Sequence, residues 1–165
     1  MQSVYIATTQ PYSGKSLVSL GITEMLLRRS NRVGVFRPVI GTDSPGERDK
    51  NIDLLLSHFN LGIRYEDTYA LHRQEALDLV AHGRTDDLVD RIIEAYKVLE
   101  GQCDYIVCIG TDPEGGGAAA EFDLNADVAR NLGVPVLIVA SAGANPVGTV
   151  VASVRSSLDA FLGRG

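Results

Sequence analysis

Residues 4–29 constrain the fold of this chain most, because a short β-prone segment there is followed by Gly-Lys-Ser and then by a helix-forming segment. Residues 4–7 are rich in side chains that favour strands. The apolar residues that follow the Gly-Lys-Ser triplet are predicted to lie mostly on one helical face: Leu17, Leu20, Ile22, Met25, Leu26 and Leu27. In a phosphate-binding loop, N–H groups at a helix start cradle phosphate oxygens, lysine neutralises their charge and serine ligates Mg²⁺. The triplet therefore predicts a phosphate-binding loop at a strand-to-helix junction.

The first half of this loop departs from the usual pattern. The pattern G-x-x-x-x-G-K-[S/T] places a glycine five residues before Gly14, and this chain has Thr9 there. A β-branched residue disfavours a positive φ and keeps the backbone away from a ligand, so Thr9 is predicted to restrict the loop. The candidate ligand-binding residues of the loop are Thr9, Ser13, Gly14, Lys15 and Ser16. The alternative is a plain strand-to-helix turn whose lysine and serine point into solvent.

Strand-like and helix-like patterns alternate along the whole chain. Strands are predicted at residues 4–8, 32–37, 105–109 and 136–140, and helices at 15–29, 51–59, 73–82, 85–100, 123–132 and 147–162, with Thr85 and Asp123 as N-caps. Residues 64–68 have no clear pattern. The alternation predicts an α/β fold, a doubly wound and mostly parallel sheet with helices on both faces, and the Gly-Lys-Ser triplet after the first strand indicates that it is P-loop NTPase-like. Strand 105–109 is continuously apolar, which predicts that it and strand 4–8 are central.

Ligands in such a sheet bind at the carboxyl ends of the strands. The loops at 9–16, 40–50, 110–120 and 141–146 are predicted to share that edge. The glycines at 115–117 could allow a backbone to approach a ligand closely, or could simply make a flexible loop. The three histidines, His58, His72 and His82, show no spacing typical of a catalytic or metal site.

Composition excludes several classes of partner. A chain of 165 residues is long enough for one domain with a sizeable core, and we predict a single domain over residues 1–165. A formal charge of −6 argues against nucleic acid or an anionic membrane as the main partner. No apolar run reaches membrane-spanning length and no signal-peptide pattern is present, which predicts a cytoplasmic location. Cys103 and Cys108 form neither a disulfide framework nor a zinc motif.

Several strings resemble a known family. These are TQPYSGKSLVSLGITEMLLRR from Thr9, RVGVFRPV at 32–39, EFDLNA at 121–126 and NLGVPV at 131–136. Together they resemble the dethiobiotin-synthetase-like N-terminal domain of long phosphate acetyltransferases, a P-loop family, over about the first 150 residues. The resemblance implies that the chain is the N-terminal part of a longer, homo-oligomeric protein with a C-terminal acetyltransferase domain, or a stand-alone relative of that part. The parent reaction implied is acetyl transfer between coenzyme A and phosphate.

The resemblance also implies roles for individual residues. Arg37 stands where dethiobiotin synthetases carry a lysine for the substrate amine, and its guanidinium suits a phosphate or carboxylate instead. The alternative for Arg37 is an ion pair with a surface carboxylate. Asp53 matches the family's metal-side aspartate and could hold Mg²⁺ with Ser16, although an aspartate in a first helical turn is also favoured by the helix dipole. Ile109 replaces an acidic residue; Asp112 or Glu114 could substitute, but both are expected to be solvated loop carboxylates.

Three departures at one sheet edge, at Thr9, Arg37 and Ile109, favour a non-catalytic role. The domain is then expected to regulate or stabilise its parent enzyme and to bind ATP or another phosphate-containing metabolite, with Mg²⁺. An ATP-dependent ligase acting on a small carboxylated substrate is the alternative, since Lys15, Ser16 and Asp53 are retained. A scaffold with an empty loop is a third possibility.

Overall fold

The computed structural model describes residues 2–41, 47–112, 118–143 and 145–163, in which five strands alternate with six α-helices. A 3-10 turn at Tyr65–Asp67 precedes the third strand. In chain order the elements are β1 Gln2–Thr8, α1 Lys15–Leu27, β2 Val33–Ile40, α2 Lys50–His58, β3 Tyr69–His72, α3 Arg73–Ala81, α4 Thr85–Glu100, β4 Tyr105–Ile109, α5 Ala118–Leu132, β5 Val136–Val139 and α6 Val147–Leu162.

The strands form one parallel sheet in the order β3-β2-β4-β1-β5. The apolar strand β4 lies between β2 and β1, and β1 lies between β4 and β5. The prediction that these two strands are internal is therefore confirmed. In the register of the central pair, Ile6 of β1 lies beside Ile109 of β4, so both strands end at the same edge.

Helices cover both faces of the sheet, which confirms the predicted doubly wound α/β fold. On one face, α3, α4 and α5 bury apolar residues against Tyr5, Phe36 and Ile106. On the other face, α1 and α2 pack against Ile6 and Val107. Two separate apolar clusters thus hold the sheet from its two sides, as expected for strands buried on both faces. Within the described ranges, no helix is both long and apolar enough to cross a membrane.

The sequence patterns missed the edge strand β3 and the last three residues of β2. Beyond Arg37, β2 continues through Pro38 to Ile40, and Arg37, Val39 and Ile40 are in register with β3. A proline reads as the end of a strand because it cannot donate a ladder hydrogen bond. At four residues, of which Leu71 is buried, His72 is exposed and the other two are intermediate, β3 is too short to give a clear alternating pattern.

The predicted apolar face of α1 is partly wrong. The residues that α1 buries are Lys15, Ser19 and Thr23, whereas Leu17 and Met25 are exposed. These three recur every four residues, so they form one stripe along the helix. Ser19 Oγ donates to the carbonyl of Lys15 at 2.9 Å, which satisfies a hydroxyl inside the helix. The stripe turned inwards is therefore polar, and it starts at the lysine of the phosphate-binding loop.

Helix starts also differ from the prediction at two places. Thr85 is the first residue of α4 rather than its cap, because Arg84 occupies the N-cap position. Asp123 lies inside α5, which already begins at Ala118. By contrast α2 is capped by Asp49, whose Oδ1 accepts hydrogen bonds from two backbone N–H groups at 2.9 and 3.2 Å. This cap was not anticipated, and it belongs to the site described next.

Candidate functional site

The phosphate-binding loop joins β1 to α1 at the carboxyl edge of the sheet. Gly14 is the N-cap of α1 and has φ +86°, a conformation that favours glycine, and no side chain caps this helix. The first N–H groups of a helix have no intrahelical partner, so this end of α1 can bind an anion. Ser13 is buried beside it, and its Oγ has no hydrogen-bond partner among the residues that the structure describes. The loop thus combines helix-start N–H groups with a buried hydroxyl for which the described part of the chain supplies no partner.

The positive φ that Thr9 would disfavour is not required of Thr9, since it falls elsewhere in the loop. Among the described non-glycine residues only Tyr12 has a positive φ, +55°, and its side chain is 98% exposed. Thr9 instead extends the edge of β1, where its N–H donates to the carbonyl of Val139 at 3.3 Å. Gln10 Nε2 donates to the carbonyl of Ser141 at 2.9 Å. These two bonds fasten the first half of the loop to β5 and to the segment after it.

Lys15 points inwards and not into solvent. Its side chain is only 4% exposed, and Nζ donates to the carbonyl of Gly110 at 2.5 Å and lies 2.8 Å from Asp112 Oδ1. Burial, reinforced by the nearby Arg37, lowers the pKa of Lys15 to about 8, and Asp112 opposes this shift. The expectation that Asp112 is merely a solvated loop carboxylate is therefore wrong, because it is the anionic partner of the loop lysine.

Arg37 connects Lys15 to the cap of α2. Its Nε lies 3.0 Å from Asp49 Oδ2, an ion pair without hydrogen-bond geometry, and its Nη2 lies 3.6 Å from Asp112 Oδ2. The alternative of a surface carboxylate partner is wrong, since Arg37 and Asp49 are both buried. Lys15, Arg37, Asp49 and Asp112 together are called the buried ion quartet below. Two cations and two carboxylates alternate in it, so their charges balance inside the protein.

The loop after β4 is held in place by Asn125. This buried amide accepts hydrogen bonds from the Tyr5 hydroxyl at 2.7 Å and from the Thr111 N–H at 2.9 Å, and it donates to the Thr111 carbonyl at 3.2 Å. Gly110 packs directly against the Asn125 side chain. A Cβ at this position would be only 2.6 Å from Asn125 Oδ1, which leaves no room for a larger residue. Asn125 belongs to the EFDLNA string, so that string fixes the backbone that presents Asp112 to Lys15.

Ser16 and Asp53, the predicted metal ligands, lie in a more open part of the site. Ser16 Oγ donates to Asn51 Oδ1 at 2.7 Å. Asp53 is half exposed and its Oδ1 lies 3.1 Å from Arg48 Nε, while the Arg48 guanidinium stands 4.3 Å from the centre of the Tyr65 ring. These residues, Ser16, Arg48, Asn51 and Asp53, are called the metal corner below.

The metal corner is a poor set of donors for Mg²⁺, which is usually bound through one or two carboxylates. Its single carboxylate is paired with Arg48, and the end of β4 supplies the buried Ile109 instead of an acid. Among the described residues, no group of three or more His, Cys, Asp or Glu side chains could hold a metal ion. The assignment of Mg²⁺ to Ser16 and Asp53 therefore stays a prediction, and no step is derived through it. Glu114 and the glycines at 115–117 lie outside the described residues.

Sequence reasoning missed three residues that shape this site: Asp49, Asn51 and Asn125. Asp49 immediately precedes a helical pattern, and such an aspartate is a common cap, so a signal was present. The contact of Asn51 with Ser16 could not be predicted, because it depends on α2 lying beside the start of α1. Asn125 lay within a string that was recognised for its resemblance, but its hydrogen-bonding role requires the loop after β4 to lie against it.

Comparison with known proteins agrees with the geometry. The family AAA_26, described as an AAA domain, matches residues 2–159. Three curated relatives are each named phosphate acetyltransferase. That of Nitratidesulfovibrio vulgaris is 45% identical over 157 residues, 95% of this chain and 22% of the relative. That of Synechocystis is 38% identical over 159 residues, which cover 96% of this chain and 23% of the relative. That of Deinococcus radiodurans is 28% identical over 151 residues, which cover 88% of this chain and 20% of the relative. The chain thus spans about a fifth of the length of the relatives it matches.

Proposed function

This chain belongs to the AAA_26 family of AAA domains, and we propose that it is a non-catalytic, anion-responsive regulatory domain of a phosphate acetyltransferase. The parent reaction in this proposal converts acetyl-CoA and phosphate to acetyl phosphate and CoA. The relatives named phosphate acetyltransferase support the parent, and the phosphate-binding loop supports the response to an anion. ATP or another phosphate-containing metabolite is the proposed ligand, and phosphate is itself an ion of the parent reaction.

The observation that carries the proposal is the pairing of Lys15 with Asp112. A phosphate that binds at the start of α1 needs the charge of Lys15, and Asp112 already neutralises it at 2.8 Å. The incoming anion must therefore displace Asp112, whose Oδ2 is 3.6 Å from Arg37 Nη2 and can move towards it. Binding would then shift the loop after β4, which supplies Asp112. A ligand that rearranges a loop in this way suits signalling inside a larger protein.

The absence of catalysis is proposed from the charges near the loop. Phosphoryl transfer depends on cations and metal ions that neutralise the developing charge on the phosphate oxygens. Here Lys15 is partly neutral near pH 8, Asp53 is paired with Arg48, and Ile109 provides no metal ligand. These features favour binding without turnover. The rival ligase reading requires that Mg-ATP binding reorganise all three features at once.

The proposed partner is the acetyltransferase domain of the same longer chain, in a homo-oligomer. An exposed apolar stripe on α6 supports an interface of this kind. Its residues follow one another at intervals of four, seven and four, so they lie along one side of the helix: Val147, Val151, Leu158 and Leu162. They are between 43% and 75% exposed. In the longer protein, Leu158→Asp is expected to loosen assembly, which size-exclusion chromatography with light scattering would detect.

Calorimetric titration with Mg-ATP, ATP and inorganic phosphate tests the regulatory proposal. The chain is expected to bind one or more of these without hydrolysing ATP. Lys15→Met keeps the aliphatic stem and removes the charge, and it should abolish that binding. Lys97→Met, on the exposed side of α4, is the matched control and should leave binding unchanged. Thr9→Gly should not strengthen binding, because the positive φ of this loop falls at Tyr12.

Each alternative has its own outcome in this titration. ATP turnover dependent on Lys15 would overturn the non-catalytic proposal and favour the ligase. If none of these anions binds, the third alternative, a scaffold with an empty loop, would be favoured. Binding that survives in Lys15→Met would show that the ligand lies elsewhere, and the assignment of the loop as the ligand site would be wrong.

A further inference from the structure

Beside the buried ion quartet lies a cavity of about 370 Å³ that the phosphate-binding loop does not line. It opens between α3, the carboxyl ends of β2 and β4, the start of α2 and the first half of α5. Its volume falls within the range of about 300–1,000 Å³ that is typical of small-molecule sites. The arguments below use Arg37, Asp49 and Asp112 on its floor and Ala76, Leu77 and Val80 on its wall.

The guanidinium of Arg37 retains capacity to donate into this cavity. Its Nη1 reaches the Gly110 carbonyl only at 3.4 Å, and its Nη2 lies 3.6 Å from Asp112. Charged N–H groups usually hold carboxylate oxygens at about 2.7–2.9 Å, so both contacts are long. Only 6% of Arg37 is exposed, so it has little access to bulk water. A carboxylate within hydrogen-bonding distance of both terminal nitrogens would satisfy them better than the long contacts to Gly110 and Asp112 do.

Asp49 is engaged on both carboxylate oxygens, and Asp112 closely on one. Asp49 Oδ1 accepts from the N–H groups of Asn51 and Ile52, and Oδ2 faces Arg37 Nε. Asp112 faces Lys15 with one oxygen and Arg37 with the other. Further along the wall Glu121 pairs with Arg73. Asp49, Asp112 and Glu121 thus have partners while the terminal nitrogens of Arg37 have only long contacts, so these groups favour an anionic ligand over an amine at the Arg37 end of the cavity.

The opposite wall of the cavity is apolar. Leu77 and Val80 on α3 are 52% and 48% exposed, and both border the cavity. Ala76 on the same helix and Leu124 on α5 continue this surface inwards. Exposed aliphatic side chains that line a cavity would be stabilised by an aliphatic ligand, since apolar area is removed from water.

We propose that this cavity binds a small organic anion, a carboxylate on a short aliphatic stem. The carboxylate accepts hydrogen bonds from the terminal nitrogens of Arg37, and the stem lies against Ala76, Leu77 and Val80. A guanidinium holds a carboxylate through two parallel hydrogen bonds, which fixes the orientation of the ligand. This site adjoins the phosphate site at the start of α1 through Asp112, which faces both Lys15 and Arg37.

Titration of the 165-residue chain with hexanoate, acetate and hexylammonium, followed by amide NMR shifts, tests the proposal. Hexanoate should shift amides of α3 and of the start of α2. It should bind at least tenfold more tightly than acetate, since each buried methylene raises affinity up to about fourfold. Hexylammonium has the same stem with the opposite charge and should not saturate the site. Hexanoate binding no tighter than that of acetate or hexylammonium would overturn the proposal.

Variants separate this site from the surface and from the phosphate site. Val80→Asp should weaken hexanoate binding at least tenfold, whereas Val98→Asp, which is similarly exposed on α4 but outside the cavity, should have no effect. Arg37→Lys keeps the charge but loses the planar fork, and it should weaken binding as well. Val80→Asp should leave phosphate binding intact and Lys15→Met should abolish it, so failure of the cavity and failure of the phosphate site can be told apart. Unchanged binding in Val80→Asp would show that the stem does not lie on α3.

Discussion

The buried ion quartet and the metal corner lie at the same edge of the sheet, yet they differ in burial. Arg37 and Asp49 of the quartet have side chains 7% and 6% exposed, and their ion pair spans 3.0 Å. Arg48 and Asp53 of the metal corner form a pair of nearly the same length, 3.1 Å, but are 49% and 51% exposed. Asp49 is the N-cap of α2 and Asp53 lies in its first turn, so the two pairs differ mainly in their access to water.

This difference shows that distance alone does not tell how strongly a pair organises a site. An exposed pair is screened by water and salt and contributes between zero and about 1 kcal/mol. Breaking a buried pair leaves one charge without a partner and costs about 3–5 kcal/mol. We therefore expect the quartet to fix the conformation of the site, whereas the metal corner can rearrange at little cost when a ligand arrives.

Asp49→Asn is expected to give the largest effect. Asparagine still caps α2, so the change removes the charge facing Arg37 and little else. The free energy of unfolding should fall by about 3 kcal/mol, near the lower end for a broken buried pair. Urea denaturation would measure this fall, and Asp49→Ala should add about 1 kcal/mol for the lost cap. A loss below about 1 kcal/mol would place the quartet in the same class as the metal corner.

Asp112→Asn should alter binding more than stability. Removal of this carboxylate frees Lys15 Nζ from its internal competitor, and phosphate should bind on the order of tenfold more tightly, which corresponds to about 1.4 kcal/mol. Calorimetry at pH 6.5 is the appropriate measurement, since the loss of Asp112 lowers the pKa of Lys15 further and that lysine must stay protonated. Weaker phosphate binding would instead show that Asp112 helps to hold the ligand.

The depressed pKa of Lys15 predicts a smaller, pH-dependent effect. Only the protonated lysine attracts an anion, so sulfate affinity should fall as the pH rises through about 8. Between pH 7 and 8.5 the decrease should be about fourfold, from the fraction protonated at each pH. Sulfate is chosen because its own charge is constant in this range. The free energy of unfolding has the opposite sign: the unfolded chain keeps the Lys15 proton up to its ordinary pKa, so this residue's contribution to stability rises between pH 8 and 10.5.

A lysine variant separates this titration from others in the chain. Lys15→Met should show neither the fall in sulfate affinity nor the rise in stability. The comparison between the two proteins is needed because burial raises the pKa values of Cys103 and Cys108, which makes stability fall above pH 9. A sulfate profile of the unmodified chain that stays flat to pH 9 would contradict the assignment of Lys15 as the anion's cation.

Asp53→Asn is expected to give the smallest effect. Its pair with Arg48 is half exposed, so the free energy of unfolding should change by less than about 0.5 kcal/mol. Anion binding without Mg²⁺ should be unaffected. Isothermal titration with Mg²⁺ and ATP would check the predicted metal role, since a Mg²⁺-dependent gain that disappears in Asp53→Asn would support it. A stability loss as large as that of Asp49→Asn would remove the contrast between the two pairs.

Much of the fold was predictable because its signals are local. The alternation of apolar strands and amphipathic helices, and the Gly-Lys-Ser triplet after the first strand, depend on neighbouring residues only. The errors also have local causes. Pro38 read as the end of β2, β3 was too short to show a pattern, and α1 turns a polar stripe of Lys15, Ser19 and Thr23 towards the sheet.

The sequence alone determined the doubly wound sheet, the position of the phosphate-binding loop and the residues that could carry charge at its edge. Only the tertiary structure decided which charges meet, because strand order, not chain order, sets their neighbours. Lys15 and the Gly110 carbonyl are 95 residues apart, and they meet because β1 lies directly beside β4. Tertiary burial also decided that Asp49 forms a desolvated pair while Asp53 stays in water. Coulomb attraction strengthens where water is excluded, so the same type of side chain takes two different roles on one helix.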